Sequence, residues 1–302
     1  MSGRAAVLLW LVIAASPVLA DDVRQHGEYL FRAAGCATCH TDEKNHGVPL
    51  AGGRALKTSF GTFYTPNITP DPDTGIGRWS EADFIRALRE GISPAGEHYY
   101  PAFPYTSYTR LTDTDQHAIW VYLSSRKPVQ QANKPHELPW YLRSRASLGI
   151  WKKMFLSTGA FQSQPDRSAA WNRGAYLVNA VAHCCECHTP RNFLGGFKES
   201  RQFAGNSEGV EGTAVSNITP DKKTGIGKWS ETDLVEYLET GATPDGDYAG
   251  DIMAEVIDNS LAQLTKEDRR AIAAYVMSLP PLENTIHKRT NKKPKPKKEE
   301  YE

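Results

Sequence analysis

Two short peptides, Cys36-Ala37-Thr38-Cys39-His40 and Cys184-Cys185-Glu186-Cys187-His188, constrain this 302-residue chain more than any other feature. Both have the C-x-x-C-H spacing of a covalent haem attachment site. Two thiols one helical turn apart can reach the two vinyl groups of one porphyrin and form thioethers. The histidine that follows then sits against the iron as an axial nitrogen donor. A single match fits a zinc or thiol-redox site as well. Two matches, each ending in His within a repeated sequence, point to two covalently bound haem c groups. Cys36, Cys39, Cys184 and Cys187 would hold them, with His40 and His188 as iron ligands.

The repetition extends well beyond these motifs. Pro66-Asn67-Ile68-Thr69-Pro70-Asp71 returns as Ser216-Asn217-Ile218-Thr219-Pro220-Asp221, and Thr74-Gly75-Ile76-Gly77-Arg78-Trp79-Ser80-Glu81 returns as Thr224-Gly225-Ile226-Gly227-Lys228-Trp229-Ser230-Glu231. An offset near 150 residues fits two similar domains, not a solenoid of short repeats. Each copy predicts three helices. A leading helix runs through Gly27 or Gly174, where the missing side chain lets another helix cross closely. A middle helix starts at Ser80 or Ser230, with Asp83 or Asp233 three residues on, a capping-box pattern. A final helix starts at Thr112 or Thr265 and carries Ile119, Tyr122 and Leu123, or Ile272, Tyr275 and Val276, on one face. Between the copies, Pro128 to about Ala170 is too aromatic for a free linker and is expected to pack over the seam.

Residues 1–20 carry Arg4, an apolar run and Val18-Leu19-Ala20, the pattern of a secretory signal cleaved before Asp21. The competing reading is an uncleaved anchor, but the apolar run is short for a bilayer span. Bacterial haem attachment occurs outside the cytoplasm, so signal and motifs agree on a periplasmic location, with membrane contact at most peripheral or through a partner. Four of the five cysteines belong to the motifs, which leaves no disulfide framework. Cys185 reads as a small spacer. The whole chain balances 35 basic against 35 acidic residues, but residues 21–287 hold 27 against 32. The remaining basic excess lies in a Pro-broken, Lys-rich tail that is expected to be disordered. Nucleic acid is not an expected partner. The expected segmentation is a signal peptide (1–20), a first haem domain (21–127), a connecting segment (128–170), a second haem domain (171–283) and the tail (284–302).

The sixth iron ligand differs between the copies. Met253 lies twelve residues after Gly241, between the middle and final helices, and a thioether there would raise the reduction potential. The same count from Gly91 reaches Phe103, which cannot ligate iron. Three readings stand for the first haem: His98 swings in, Met154 reaches across from the connecting segment, or the site is five-coordinate. His98 ranks first. Trp79 and Trp229 are candidate donors to haem propionates or plain core residues, and Asn67 and Asn217 read as structural turns despite their glycosylation sequons.

Tyr100-Pro101-Ala102-Phe103-Pro104-Tyr105, Phe63-Tyr64-Thr65-Pro66-Asn67, His188-Thr189-Pro190-Arg191-Asn192 and both Thr-Gly-Ile-Gly-x-Trp-Ser segments are similar to the dihaem and trihaem cytochrome c proteins related to the cytochrome subunits of membrane-associated alcohol, gluconate and fructose dehydrogenases. The resemblance covers about residues 24–282. It implies an all-α fold of two tandem cytochrome c-like domains, first helix crossing last over one haem in each. It also implies single-electron transfer from a donor dehydrogenase to an acceptor cytochrome, oxidase or quinone-linked complex, with Cys36, Cys39, Cys184 and Cys187 on haem and His40, His188 and Met253 on iron. Phe103 departs from the methionine often found at its position in those subunits, and the chain has no third motif. A carrier with no catalytic residues of its own is therefore the leading expectation. A dihaem peroxidase or thiosulfate-oxidising enzyme using an open or unusually ligated first haem is the competing one.

Overall fold

The computed structural model describes residues 17–286. Most of the expected signal segment and most of the Lys-rich tail lie outside the described residues. Helix α1 (Pro17–Ala33) runs unbroken past the Ala20–Asp21 junction. It leads into the short α2 (Cys36–His40), then a ribbon of β1 (Ala55–Thr58) and β2 (Gly61–Tyr64), α3 (Glu81–Glu90), α4 (Tyr105–Tyr108) and α5 (Asp113–Ser124). Helix α6 (Ser147–Phe155) belongs to the connecting segment. The pattern then recurs as α7 (Ala169–Tyr176), extended by a π-helical turn over Leu177–Val181, α8 (Cys185–His188), α9 (Glu231–Thr240), α10 (Asp251–Asn259) and α11 (Lys266–Val276).

The two glycines singled out in the sequence mark the helix crossings. A Cβ on Gly27 would stand 1.9 Å from the Ala118 carbonyl oxygen of α5, and one on Gly174 would stand 1.8 Å from that of Ala271 on α11. Each leading helix therefore touches its final helix backbone to backbone. The middle helices begin at complete capping boxes, in which the Ser80 and Ser230 hydroxyls accept the Asp83 and Asp233 amides while the aspartates accept in return. The Thr112 and Thr265 hydroxyls accept the Asp115 and Asp268 amides at the starts of α5 and α11, while those two carboxylates turn to other partners. Each such cap is worth about 1 kcal/mol.

The all-α expectation needs one amendment, the β1–β2 ribbon, in which Ala55 pairs with Tyr64 and Thr58 with Gly61. Its sequence supplies the reason: Thr58, Thr62, Phe63 and Tyr64 are good strand formers, and Thr62 also exchanges backbone hydrogen bonds with Glu137 at 2.9 Å. The matching stretch of the second half has a single bridge, Asn206 to Val215.

The halves dock by exchanging equivalent residues. Tyr29 on α1 donates to Asp268 (2.6 Å) in the first turn of α11, and Tyr176 on α7 donates to Asp115 in the first turn of α5. The backbone N–H groups of Thr265 and Thr112 donate back to the same two hydroxyls, at 3.2 and 3.3 Å. Because these residues occupy matching places in the repeat, the interface is close to a two-fold self-pairing.

The connecting segment does pack over both halves. The Val129 carbonyl accepts from Asn67, and the Gln131 side chain donates to the Ala51 carbonyl (2.8 Å). On α6, Lys152 donates to the Glu90 and Gly91 carbonyls (both 2.6 Å), and the Trp151 indole donates to the Leu194 carbonyl (2.8 Å). After α11 the chain repeats the wrap, with the Leu282 carbonyl accepting from Asn217 at 2.7 Å. Asn67 and Asn217 are each 2 % exposed and spend their amides inside these turns, so they serve structure and are closed to a glycan.

Candidate functional site

Helix α1 stops where Gly35 takes φ +62°, and the chain restarts at Cys36 as α2. That single turn of helix sets the Cys36 and Cys39 thiols on one side and delivers His40 at its end. His40 Nδ1 donates to the Pro66 carbonyl (2.7 Å). The proton is thereby held on Nδ1, and Nε2 keeps a free lone pair. Burial lowers the pKa of His40, which keeps the imidazole neutral. In the second half His188 Nδ1 donates to the Ser216 carbonyl (2.8 Å), and burial lowers its pKa likewise. The two histidines therefore present the same donor in the same way.

Cys36, Cys39, His40, Ile68, Trp79 and Phe103 are among the residues that line a cavity of about 440 Å³ in the first half. That volume falls in the range of roughly 300–1,000 Å³ typical of small-molecule and cofactor sites. The walls are mainly apolar and aromatic, and among the described residues none on the wall beyond the two motif cysteines carries sulfur. Burial pushes the Cys36 and Cys184 thiols up to about 12 and Cys187 to about 11. These are poor thiolates for zinc or thiol exchange at neutral pH, whereas a thioether needs no charge. An apolar cavity, paired thiols on its wall and a neutral, oriented imidazole together fit a covalent haem.

The second motif grips the first half through its variable residues. Glu186 accepts from Thr106 (2.7 Å) and Ser107 (2.6 Å) and pairs with Arg191 at 2.5 Å. Cys185 is buried with its sulfur 3.5 Å from the Ser107 hydroxyl, so the fifth cysteine fills the seam. His183 stands where the first copy has Gly35 and takes φ +40°, a conformation that strains a non-glycine residue. Its Nε2 lies 3.2 Å from the Ala34 carbonyl, its ring meets Tyr108 edge-on at 5.3 Å, and it forms part of the first cavity wall. Sequence reasoning passed over His183. The signal was its alignment with a left-handed glycine.

The structure does not bring His98 to the cavity. Ile92 and His98 form a β-bridge, and the Tyr99 N–H donates to the Gly91 carbonyl (2.7 Å). This tight return turns the His98 ring outward onto α6, with Nδ1 3.1 Å from Lys152 Nζ and the ring against Gly149. Phe103, Tyr99 and Tyr100 take the wall position instead. Met154 is 55 % exposed on α6 and does not line the cavity either. His136 does line it, but its Nδ1 accepts the Tyr64 N–H (3.2 Å). As a neutral ring it therefore offers the cavity an N–H donor, not a lone pair. His98→Ala is expected to leave the first haem's absorption spectrum unchanged; a shifted or lost low-spin signal would restore His98 as a ligand.

Met253 lies in the first turn of α10, half-buried against the main core. The segment is itself a helix, beyond the three expected of each copy. Ile252, Val256 and Ile257 give it a helical apolar face, whereas Pro101 and Pro104 hold the first copy's counterpart to the four residues of α4.

A family model for cytochrome c matches residues 25–127. The chain is 46 % identical over 262 residues to a dihaem cytochrome c-type protein of Cereibacter sphaeroides, covering 85 % of this chain and 86 % of that one. It is 43 % identical over 256 residues to the fructose dehydrogenase cytochrome subunit of Gluconobacter japonicus, covering 84 % of this chain and 52 % of that one. It is 40 % identical over 267 residues to the gluconate 2-dehydrogenase cytochrome c subunit of Pantoea cypripedii, covering 86 % and 60 %. The chain thus spans a little over half of each of these two dehydrogenase subunits. Taken with the oriented histidine behind a pair of motif thiols, these likenesses show that the chain belongs to the cytochrome c family that includes dihaem c-type cytochromes and the cytochrome subunits of fructose, gluconate and alcohol dehydrogenases.

Proposed function

We propose that the protein is a periplasmic dihaem cytochrome c, secreted through a cleaved signal, that passes single electrons from a dehydrogenase to a respiratory acceptor. In this reading residues 21–127 and 171–283 are two tandem domains, each wrapped around one haem. Cys36 and Cys39 hold the first and Cys184 and Cys187 the second, with His40 and His188 as proximal ligands and Met253 on the second iron. The observation that carries it is the contact between the two motifs, where His183, next to Cys184, meets the Ala34 carbonyl, two residues before Cys36.

A bound haem supplies a reversible one-electron couple. The chain supplies the rest. Nδ1 bonds to Pro66 and Ser216 hold the imidazoles, apolar walls exclude water, and the Tyr29–Asp268 and Tyr176–Asp115 pairs hold the two sites in one orientation. Among the described residues no helix is long and apolar enough to cross a membrane. The dehydrogenase donor is proposed from the named relatives.

A redox titration followed by absorption and EPR spectroscopy tests the proposal. Two covalent haems whose potentials differ by more than about 59 mV, a factor of ten in a one-electron equilibrium, are expected. Met253→Ala is expected to abolish the methionine–iron charge-transfer band and lower only the higher potential. A colourless mature protein, or a high-spin first haem that turns over peroxide, would overturn the carrier reading.

A further inference from the structure

The contact between α10 and the first haem motif is made by an ion pair between a buried arginine and a half-buried glutamate 201 positions apart. Arg54 is 8 % exposed, and its own N–H donates to the Thr65 hydroxyl (3.2 Å), which fixes its backbone. Its Nη1 donates to the Thr38 carbonyl at 2.6 Å, inside Cys36-Ala37-Thr38-Cys39-His40. Both Nη atoms also reach the two carboxylate oxygens of Glu255, Nη2 at 2.8 Å, in a fork-on-fork arrangement that sets distance and angle together. Glu255 follows Met253 by two residues. At about 100° per residue the two side chains leave α10 on nearly opposite sides. A helix gripped through Glu255 therefore turns Met253 away from the first motif.

The other anchor of α10 points the same way. Gly250 at its start makes no side-chain cap, but Ser260 at its end donates to the Ala33 carbonyl (2.8 Å), just before the first motif. Both polar anchors of this helix are thus borrowed from the flanks and interior of the other half's haem motif.

We infer that the Arg54–Glu255 ion pair is a positioning device that holds the Met253 helix of the second site against the first haem motif, and that it couples the two sites electrostatically. This rests on Met253 being an iron ligand, as proposed above. Removing Arg54 leaves the half-buried Glu255 carboxylate without its guanidinium, and removing Glu255 leaves the buried Arg54 guanidinium with only the more distant Glu211 carboxylate, 3.9 Å away. The sign of the charge left behind decides the outcome, because a positive charge disfavours ferric iron and a negative charge favours it.

The test uses the intact dihaem protein and reads the methionine–iron band, both potentials and the circular dichroism. Arg54→Met is expected to weaken the band and lower both potentials. Glu255→Gln keeps an acceptor for Arg54 and is expected to retain the band while both potentials rise. Opposite shifts from the two ends of one bond are the signature that a merely structural role would not give. If Arg54→Met does not fold, Glu255→Gln decides alone: unchanged potentials overturn the inference. So does a folded Arg54→Met protein with wild-type band and potentials. Failure of the ligand reading is separate and shows as a band that survives Met253→Ala in the otherwise unaltered chain.

Discussion

A protein in which Cys36 and Cys39 are both replaced by serine is expected to carry one covalent haem instead of two, to absorb half as strongly per chain, and to lose the fold of its first half. Intact mass reads the first effect, denatured haem absorbance the second and far-ultraviolet circular dichroism the third. The magnitude follows from the cavity. Its roughly 440 Å³ opens to solvent and would fill with water, and the mainly apolar walls would lose the burial the haem gives them, worth several kcal/mol at about 25 cal/mol per Å². Whole domains are stable by only about 5–15 kcal/mol. The first half is thus expected to open when its prosthetic group is not tethered. A double-serine protein with unchanged mass and colour would remove the basis of the two-site reading. The reciprocal Cys184→Ser and Cys187→Ser change should produce the mirror result, with the added loss of the Glu186 and Cys185 contacts if the second half opens.

Gly174→Ala is the second large effect. A methyl group 1.8 Å from the Ala271 carbonyl oxygen cannot be accommodated by a side-chain rotation, because the obstacle is helical backbone. The helices α7 and α11 must separate, which costs about 3 kcal/mol or more, at the upper end for overpacking. Thermal or denaturant unfolding is expected to show this loss, and Gly27→Ala should match it through Ala118. Gly250→Ala is the control, since a Cβ there meets nothing within 4 Å; its cost should stay within about 1 kcal/mol. Equal stabilities for Gly174→Ala and Gly250→Ala would contradict the crossing geometry.

Most of what was legible in the chain was local. The C-x-x-C-H peptides and the Ser80 and Ser230 capping boxes each depend on residues within one or two turns, and the structure places them as their spacing implies; Gly27 and Gly174 were legible as gaps, though the helices that fill them lie far along the chain. His98 departs from its expected place for a physical reason. Counting from Gly91 finds a residue that could reach the haem, but the β-bridge between Ile92 and His98 decides which way the ring faces. The β1–β2 ribbon pairs within ten residues and carries local strand formers, whereas its further bonding to Glu137, in another segment, leaves no local pattern.

Periodicity, caps and motif spacing were thus enough to announce haem attachment, helix order and the duplication, because those features are set by neighbours along the chain. Only the folded molecule decided how the halves meet. Tyr29 finds Asp268, Tyr176 finds Asp115 and Arg54 finds Glu255 across separations of 239, 61 and 201 residues. Such pairings carry no local pattern. They form because burying a hydroxyl, a carboxylate or a guanidinium demands a partner, and the partner is whichever complementary group the packing brings within reach.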